Sequence, residues 1–112
     1  MRILITAGGT TEKIDEVRSI TSTSTGLLGK TIADSFCAFE ETETVYFLCG
    51  LTSVVPLSRK VTIIRIGSVT ELQEEITNIL SREKIDAVIH SMAVSDKHLL
   101  PTKGVFFASI QR

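Results

Sequence analysis

Arg2 to Thr6, reading RILIT, is a short apolar run closed by Ala7-Gly8-Gly9. Successive side chains of a strand point to opposite faces, so Ile3, Leu4 and Ile5 cannot all be hidden by covering one side. Both faces must be covered, which is the condition of a strand inside a parallel sheet with helices above and below. This run constrains the chain more than any other feature, because it demands a layered α/β design from the first residues.

The rest of the pattern supplies the layers. After a long polar connection reaching about Ser24, Leu28, Ile32, Phe36 and Phe39 recur at helical intervals and predict a helix of about 14 residues, with Ser24 or Thr25 as its N-cap. Thr44 to Cys49 (TVYFLC) and Val61 to Ile66 (VTIIRI) predict two more strands, and Leu51 to Lys60, which contains Pro56, reads as a loop between them. Ser68-Val69-Thr70-Glu71 is a capping-box sequence that starts a second helix, with Leu72, Ile76, Ile79 and Leu80 on one face. Ala87 to His90 (AVIH) predicts a fourth buried strand, left through Ser91 to Asp96, and Val105 to Ile110 is β-prone enough to add an edge strand. The expected fold class is α/β, a three-layer Rossmann-like, mostly parallel sheet flanked by helices. Ligands of such sheets sit beyond the carboxyl ends of the strands, where Ala7 to Ser24, Gly50 onward and Ser91 to Asp96 emerge.

Composition narrows the function classes. A chain of 112 residues with 43% hydrophobic content and a formal charge of −1 reads as a single domain with one modest core. Its cations are scattered among a similar number of acids, and five Phe, one Tyr and no Trp offer no aromatic platform, so no nucleic-acid partner is expected. Apolar runs are too short and interrupted to span a membrane, and the chain opens on a strand rather than a signal peptide; a cytoplasmic location is expected. Cys37 and Cys49 are not spaced as a metal or redox motif, and His90 and His98 are not grouped with them, so the cysteines read as free thiols and no metal site is expected. His90, at a strand end, reads as a packed residue rather than a catalyst. Glu12, Asp15 and Glu16 read as solvated loop charge.

Two familiar nucleotide motifs fail. Gly29-Lys30-Thr31 matches the tail of the P-loop pattern G-x-x-x-x-G-K-S/T, but Ser24 stands where the first glycine belongs, and these residues fall inside the predicted helix. The first strand is followed by adjacent glycines instead of G-x-G-x-x-G, which disfavours a nicotinamide enzyme. What remains is Ser22-Thr23-Ser24-Thr25-Gly26 entering a helix, where unpaired amides, the positive end of the helix dipole and several hydroxyls can hold an anion. An ordinary cap beside a polar loop stays open as the alternative. Arg18 is either a bidentate clamp for phosphate or carboxylate or a solvated loop charge. Asp96 is either a ligand of nucleotide donors or a turn former.

Three separated segments resemble those of the phosphopantothenate–cysteine ligase family, also called phosphopantothenoylcysteine synthetase. They are Ile3 to Arg18 (ILITAGGTTEKIDEVR), Ile20 to Gly29 (ITSTSTGLLG) and His90 to Asp96 (HSMAVSD). The family forms are I-L-I-T-A-G-G-T-x-E-x-I-D-x-V-R, I-S/T-N-x-S-S/T-G-x-x-G and A-A/M-V-S/A-D-Y, and their order and spacing agree with this chain. The likeness covers the family's N-terminal half, so residues 1–112 are expected to form one Rossmann-like ligase domain, truncated relative to full-length members.

The resemblance implies CTP-dependent amide formation between 4′-phosphopantothenate and cysteine through an acyl-cytidylate, with Mg2+ and without flavin, and it allows a homodimer. By position it implies that Gly8, Gly9 and Thr10 line the nucleotide site and that Ser24, Thr25 and Gly26 meet phosphate. Arg18 would face the acyl intermediate, and Ala93 and Asp96 would lie near the nucleotide. Ser22 stands where the family has an Asn that holds the acyl intermediate, and Lys97 stands where it has Tyr. A catalytically inactive nucleotide- or phosphate-binding fragment of the same family is the alternative expectation.

Overall fold

The computed structural model describes residues 1–13, 19–21, 25–92 and 106–109. In chain order the elements are β1 (Arg2–Ala7), β2 (Thr11–Lys13), β3 (Ser19–Thr21), α1 (Leu27–Cys37), β4 (Thr44–Cys49), β5 (Val61–Arg65), α2 (Val69–Arg82), β6 (Ala87–His90) and β7 (Phe106–Ser109). Five strands form one sheet in the order β5-β4-β1-β6-β7, and every neighbouring pair in it is parallel. The chain builds outward from β1 through β4 to β5, then returns to the other side of β1 with β6 and β7. This is the doubly wound order, and its reversal point lies between β1 and β6.

β1 is the central strand, as its unbroken apolar run requires: Ile3, Leu4 and Ile5 have no exposed surface. Alternation sends Ile3, Ile5 and Ala7 to one face, where they meet Val45, Phe47, Ala87 and Ile89 beneath Ala33, Ile32 and Phe36 of α1. Leu4 goes to the other face with Leu48 and Val88, beneath Leu72, Ile76 and Ile79 of α2. Burying such a side chain contributes about 1.5–3 kcal/mol, so the two helix-covered faces supply most of the driving force for folding. The expected α/β three-layer class is the observed one.

The second helix starts where its capping box places it. Ser68 is the N-cap and its Oγ accepts from the Glu71 amide at 3.2 Å. The first helix departs from expectation in two ways. Its N-cap is Gly26, at φ 80°, and neither Ser24 nor Thr25 fills that role; Thr25 Oγ1 instead accepts from the Leu27 amide at 3.2 Å. It also ends at Cys37, because the amides of Ala38 and Phe39 turn back to the carbonyls of Ser35 and Phe36 in tighter three-residue bonds, leaving Phe39 56% exposed. The inward stripe of α1 is made of small residues, Gly29 and Ala33, flanked by half-buried Ile32, Phe36 and Cys37.

The long polar connection after β1 is not wholly irregular. β2 and β3 pair antiparallel as a small separate ribbon, Thr11 opposite Thr21 and Lys13 opposite Ser19. Strands of three residues are too short to show a period, so nothing in the hydropathy pattern announces them. Residues 50–60 form a loop, as expected, and Val55 tucks under the α1 face. Val105 to Ile110 contributes β7, beside β6. No helix among the described residues is long and apolar enough to cross a membrane.

Candidate nucleotide-binding site

The carboxyl ends of β1 and β4 and the start of α1 meet at one edge of the sheet. β1 runs into Gly8 at φ +84°, and α1 begins at Gly26 at φ +80°. These left-handed conformations exact a steric cost from any residue with a Cβ, and both glycines face Ser53 from the β4–β5 loop. A Cβ on Gly8 would lie 3.0 Å from Ser53 Cβ, and one on Gly26 would collide with Ser53 Oγ while lying 3.5 Å from the Gly8 amide nitrogen. One turn further along α1, a Cβ on Gly29 would collide with Ala7 Cβ and reach within 2.9 Å of Ser91 Oγ. The helix start is thus held against the strand end more closely than any larger residue would allow.

Hydrogen bonds lock these segments together. The Gly50 amide donates to the Ala7 carbonyl at 3.1 Å, and the Val54 amide donates to the Thr25 carbonyl at 3.0 Å. Across the reversal point, the Ser91 amide (3.1 Å) and Oγ (2.6 Å) both donate to the Thr6 carbonyl. Thr6 Oγ1 and His90 Nδ1 lie 2.6 Å apart in a buried contact, and burial pushes the His90 pKa below its ordinary value, favouring the neutral ring. Burial pushes the Cys49 thiol up, with the nearby Arg65 cation opposing the shift. Both groups are therefore held uncharged beside the strand ends.

Two features suit this edge to an anion. The first turn of α1 carries no acidic residue, and its N-cap glycine has no side chain to spend on the helix amides, so the positive end of the helix is not neutralised locally. Thr10 is 1% exposed, and its Oγ1 has no hydrogen-bond partner among the described residues. An unpaired buried hydroxyl costs roughly 1–3 kcal/mol, a cost that a ligand accepting or donating a hydrogen bond there would remove.

The structure brings Gly8, Gly9, Thr25 and Gly26 to this edge, with Thr10 following directly. Arg18, Ser22, Ser24, Ala93 and Asp96 lie outside the described residues. Gly50 and Ser53 lie in the segment expected to emerge at this edge, though neither they nor Arg65 is among the expected site residues. A Cβ on Gly50 would collide with the Gly9 carbonyl oxygen, and Arg65 holds the loop that carries Ser53. A glycine closing a strand that exits at the ligand edge was a readable signal for Gly50; Ser53 and Arg65 depend on tertiary contacts alone. Among the described residues no three His, Cys, Asp or Glu side chains converge to hold a metal ion.

A doubly wound parallel sheet with a glycine-walled helix start at its carboxyl edge defines a Rossmann-like α/β domain. The family model for the DNA/pantothenate metabolism flavoprotein C-terminal domain matches residues 1–102, and the chain belongs to that family. It is 39% identical over 95 residues to the coenzyme A biosynthesis bifunctional protein CoaBC of Thermococcus kodakarensis, covering 85% of this chain and 23% of that protein. Among solved structures, the DNA/pantothenate metabolism flavoprotein from Streptococcus pneumoniae is 37% identical with a TM-score of 0.78, covering 86% of this chain and 42% of that one. The C-terminal domain of a coenzyme A biosynthesis bifunctional protein CoaBC is also 37% identical, with a TM-score of 0.69, covering 85% of this chain and 46% of that one. The chain therefore spans about a quarter of the curated relative's length and less than half of each solved chain.

Proposed function

We propose that this chain is the N-terminal, nucleotide-binding part of a phosphopantothenate–cysteine ligase. The carboxylate of 4′-phosphopantothenate would attack the α-phosphorus of CTP and release pyrophosphate, giving an acyl-cytidylate whose CMP is then displaced by the cysteine amine to form the amide. The observation that carries this reading is the open start of α1: an N-cap glycine without a side-chain cap, no acid in the first turn, and Gly8 packed beside it at the carboxyl edge of a parallel sheet.

In this reading the α1 amides of Leu28 and Gly29 meet a triphosphate with the positive end of the helix, the Leu27 amide being taken by Thr25 Oγ1, and Gly8 and Gly9 let the nucleotide approach the backbone. Thr10 Oγ1 gains in a ligand the partner it lacks among the described residues. Thr25 Oγ1 already accepts from the Leu27 amide, so its contribution to phosphate is the donation of its hydroxyl hydrogen. Ser24 is assigned to phosphate by the resemblance of its segment. Arg18 and Ser22 are assigned to the acyl intermediate, and Ala93 and Asp96 to the nucleotide, by the resemblance of their segments. A guanidinium aimed at charge developing on an acyl phosphate lowers the barrier by electrostatic stabilisation. Magnesium would enter this site bound to the triphosphate, its usual partner in nucleotide chemistry.

The test is release of CMP when the chain is incubated with CTP, magnesium, 4′-phosphopantothenate and cysteine. A second reading, an inactive nucleotide- or phosphate-binding fragment, is favoured by one fact: the chain covers less than half of each solved relative described above. It predicts saturable CTP binding by calorimetry without CMP. Absence of heat with CTP at millimolar concentration would remove both readings.

A further inference from the structure

Arg65 closes β5, directly opposite Cys49 at the end of β4. Its Nη1 donates to the carbonyl oxygens of Gly50, Leu51 and Ser53, each at 3.1 Å. Three carbonyl dipoles converging in a tight turn repel one another, and a single cationic nitrogen at their focus turns that repulsion into attraction. Among the described residues, no side chain of another element donates to these carbonyls besides Arg65. The same turn carries the contacts that shape the site: Gly50 packed on Gly9, Ser53 seated against Gly8 and Gly26, and the Val54 amide bonded to the Thr25 carbonyl.

We propose that Arg65 is a positioning residue for the anion site: by gathering the Gly50, Leu51 and Ser53 carbonyls it holds Ser53 against Gly8 and Gly26 and fixes the entry of α1. The effect of Arg65 on ligand binding rests on the reading that this entry binds a triphosphate; its hold on the turn does not. Replacement by Met keeps chain length and removes the donors, whereas replacement by Lys keeps a cation that can reach at least one carbonyl.

The experiment compares wild type, Arg65→Met and Arg65→Lys by site-resolved amide hydrogen exchange and by CTP calorimetry. In Arg65→Met the Val54 amide exchanges about tenfold faster or more, while Ile5 and Phe47 in the central ladder keep their protection. CTP affinity falls by about tenfold, and Arg65→Lys recovers most of both effects. Unchanged Val54 protection would overturn the proposal, as would a uniform loss at Val54, Ile5 and Phe47 that Lys does not rescue. Undiminished CTP affinity in a variant with a loosened turn would also overturn it. If wild type itself binds no CTP, the functional reading falls, and the exchange data alone decide whether Arg65 holds the turn.

Discussion

The two helices of this domain begin in opposite ways. α2 starts at Ser68, whose hydroxyl takes the Glu71 amide, and Glu71 puts a negative charge in the first turn. α1 starts at Gly26, with no side-chain cap and no acid. The packing beneath them differs in parallel: α2 rests on the sheet through Leu72, Ile76 and Ile79, α1 through Gly29 and Ala33. α2 is thus built to be complete by itself, while α1 is pressed onto the strand ends with only its Leu27 amide taken by a nearby side chain, that of Thr25. Both faces of the sheet are buried, and the helix on one of them also opens onto the candidate site.

The contrast can be broken from either side. Ile76→Ala should have the largest effect on stability, lowering it by about 2–5 kcal/mol in chemical denaturation while the folded fraction retains CTP affinity. Gly26→Ala should destabilise less, by about 1–3 kcal/mol from the left-handed backbone and the collision with Ser53. It should nevertheless abolish CTP binding in calorimetry, because the entry of α1 must shift. Removing the cap of the other helix with Ser68→Ala should cost about 1 kcal/mol in thermal or urea melts and leave CTP affinity untouched. Equal losses of affinity in Ile76→Ala and Gly26→Ala would show that the two helices do not differ in this way.

The smallest effect is pH-dependent. His90 has its pKa lowered by burial, so below its unfolded value near 6.5 the unfolded chain takes up a proton that the folded chain resists. Stability is therefore fully present above that pH and declines as pH falls below it. His90→Gln, which keeps a polar partner for Thr6, should flatten the fall of the urea midpoint below about pH 6.5 relative to wild type.

What the amino-acid order reveals follows the same division. β1 and β4 and the start of α2 were legible because each is announced locally, by an apolar run or by a cap and its stripe. The α1 side was harder. Its inward stripe is Gly29 and Ala33, which carry almost no hydropathy signal, and the periodic Phe39 that extended the expected helix lies beyond its end. Gly26 displaced Ser24 and Thr25 as cap because the chain enters α1 through a left-handed turn against Ser53, a contact between residues far apart in sequence. No motif announces Arg65, and only the register of β5 on β4 puts it over the Gly50–Ser53 turn. Sites made by convergence of short-range glycines and long-range side chains leave little periodic trace.

The most direct measurement is an amide chemical-shift titration of the 112-residue chain with CTP and magnesium. The account predicts saturable shifts concentrated at Gly8, Gly9, Thr10 and the Gly26–Gly29 amides, with Ser68–Glu71 at the start of α2 unmoved. Shifts of equal size at both helix starts, or none at α1 under saturating nucleotide, would contradict it.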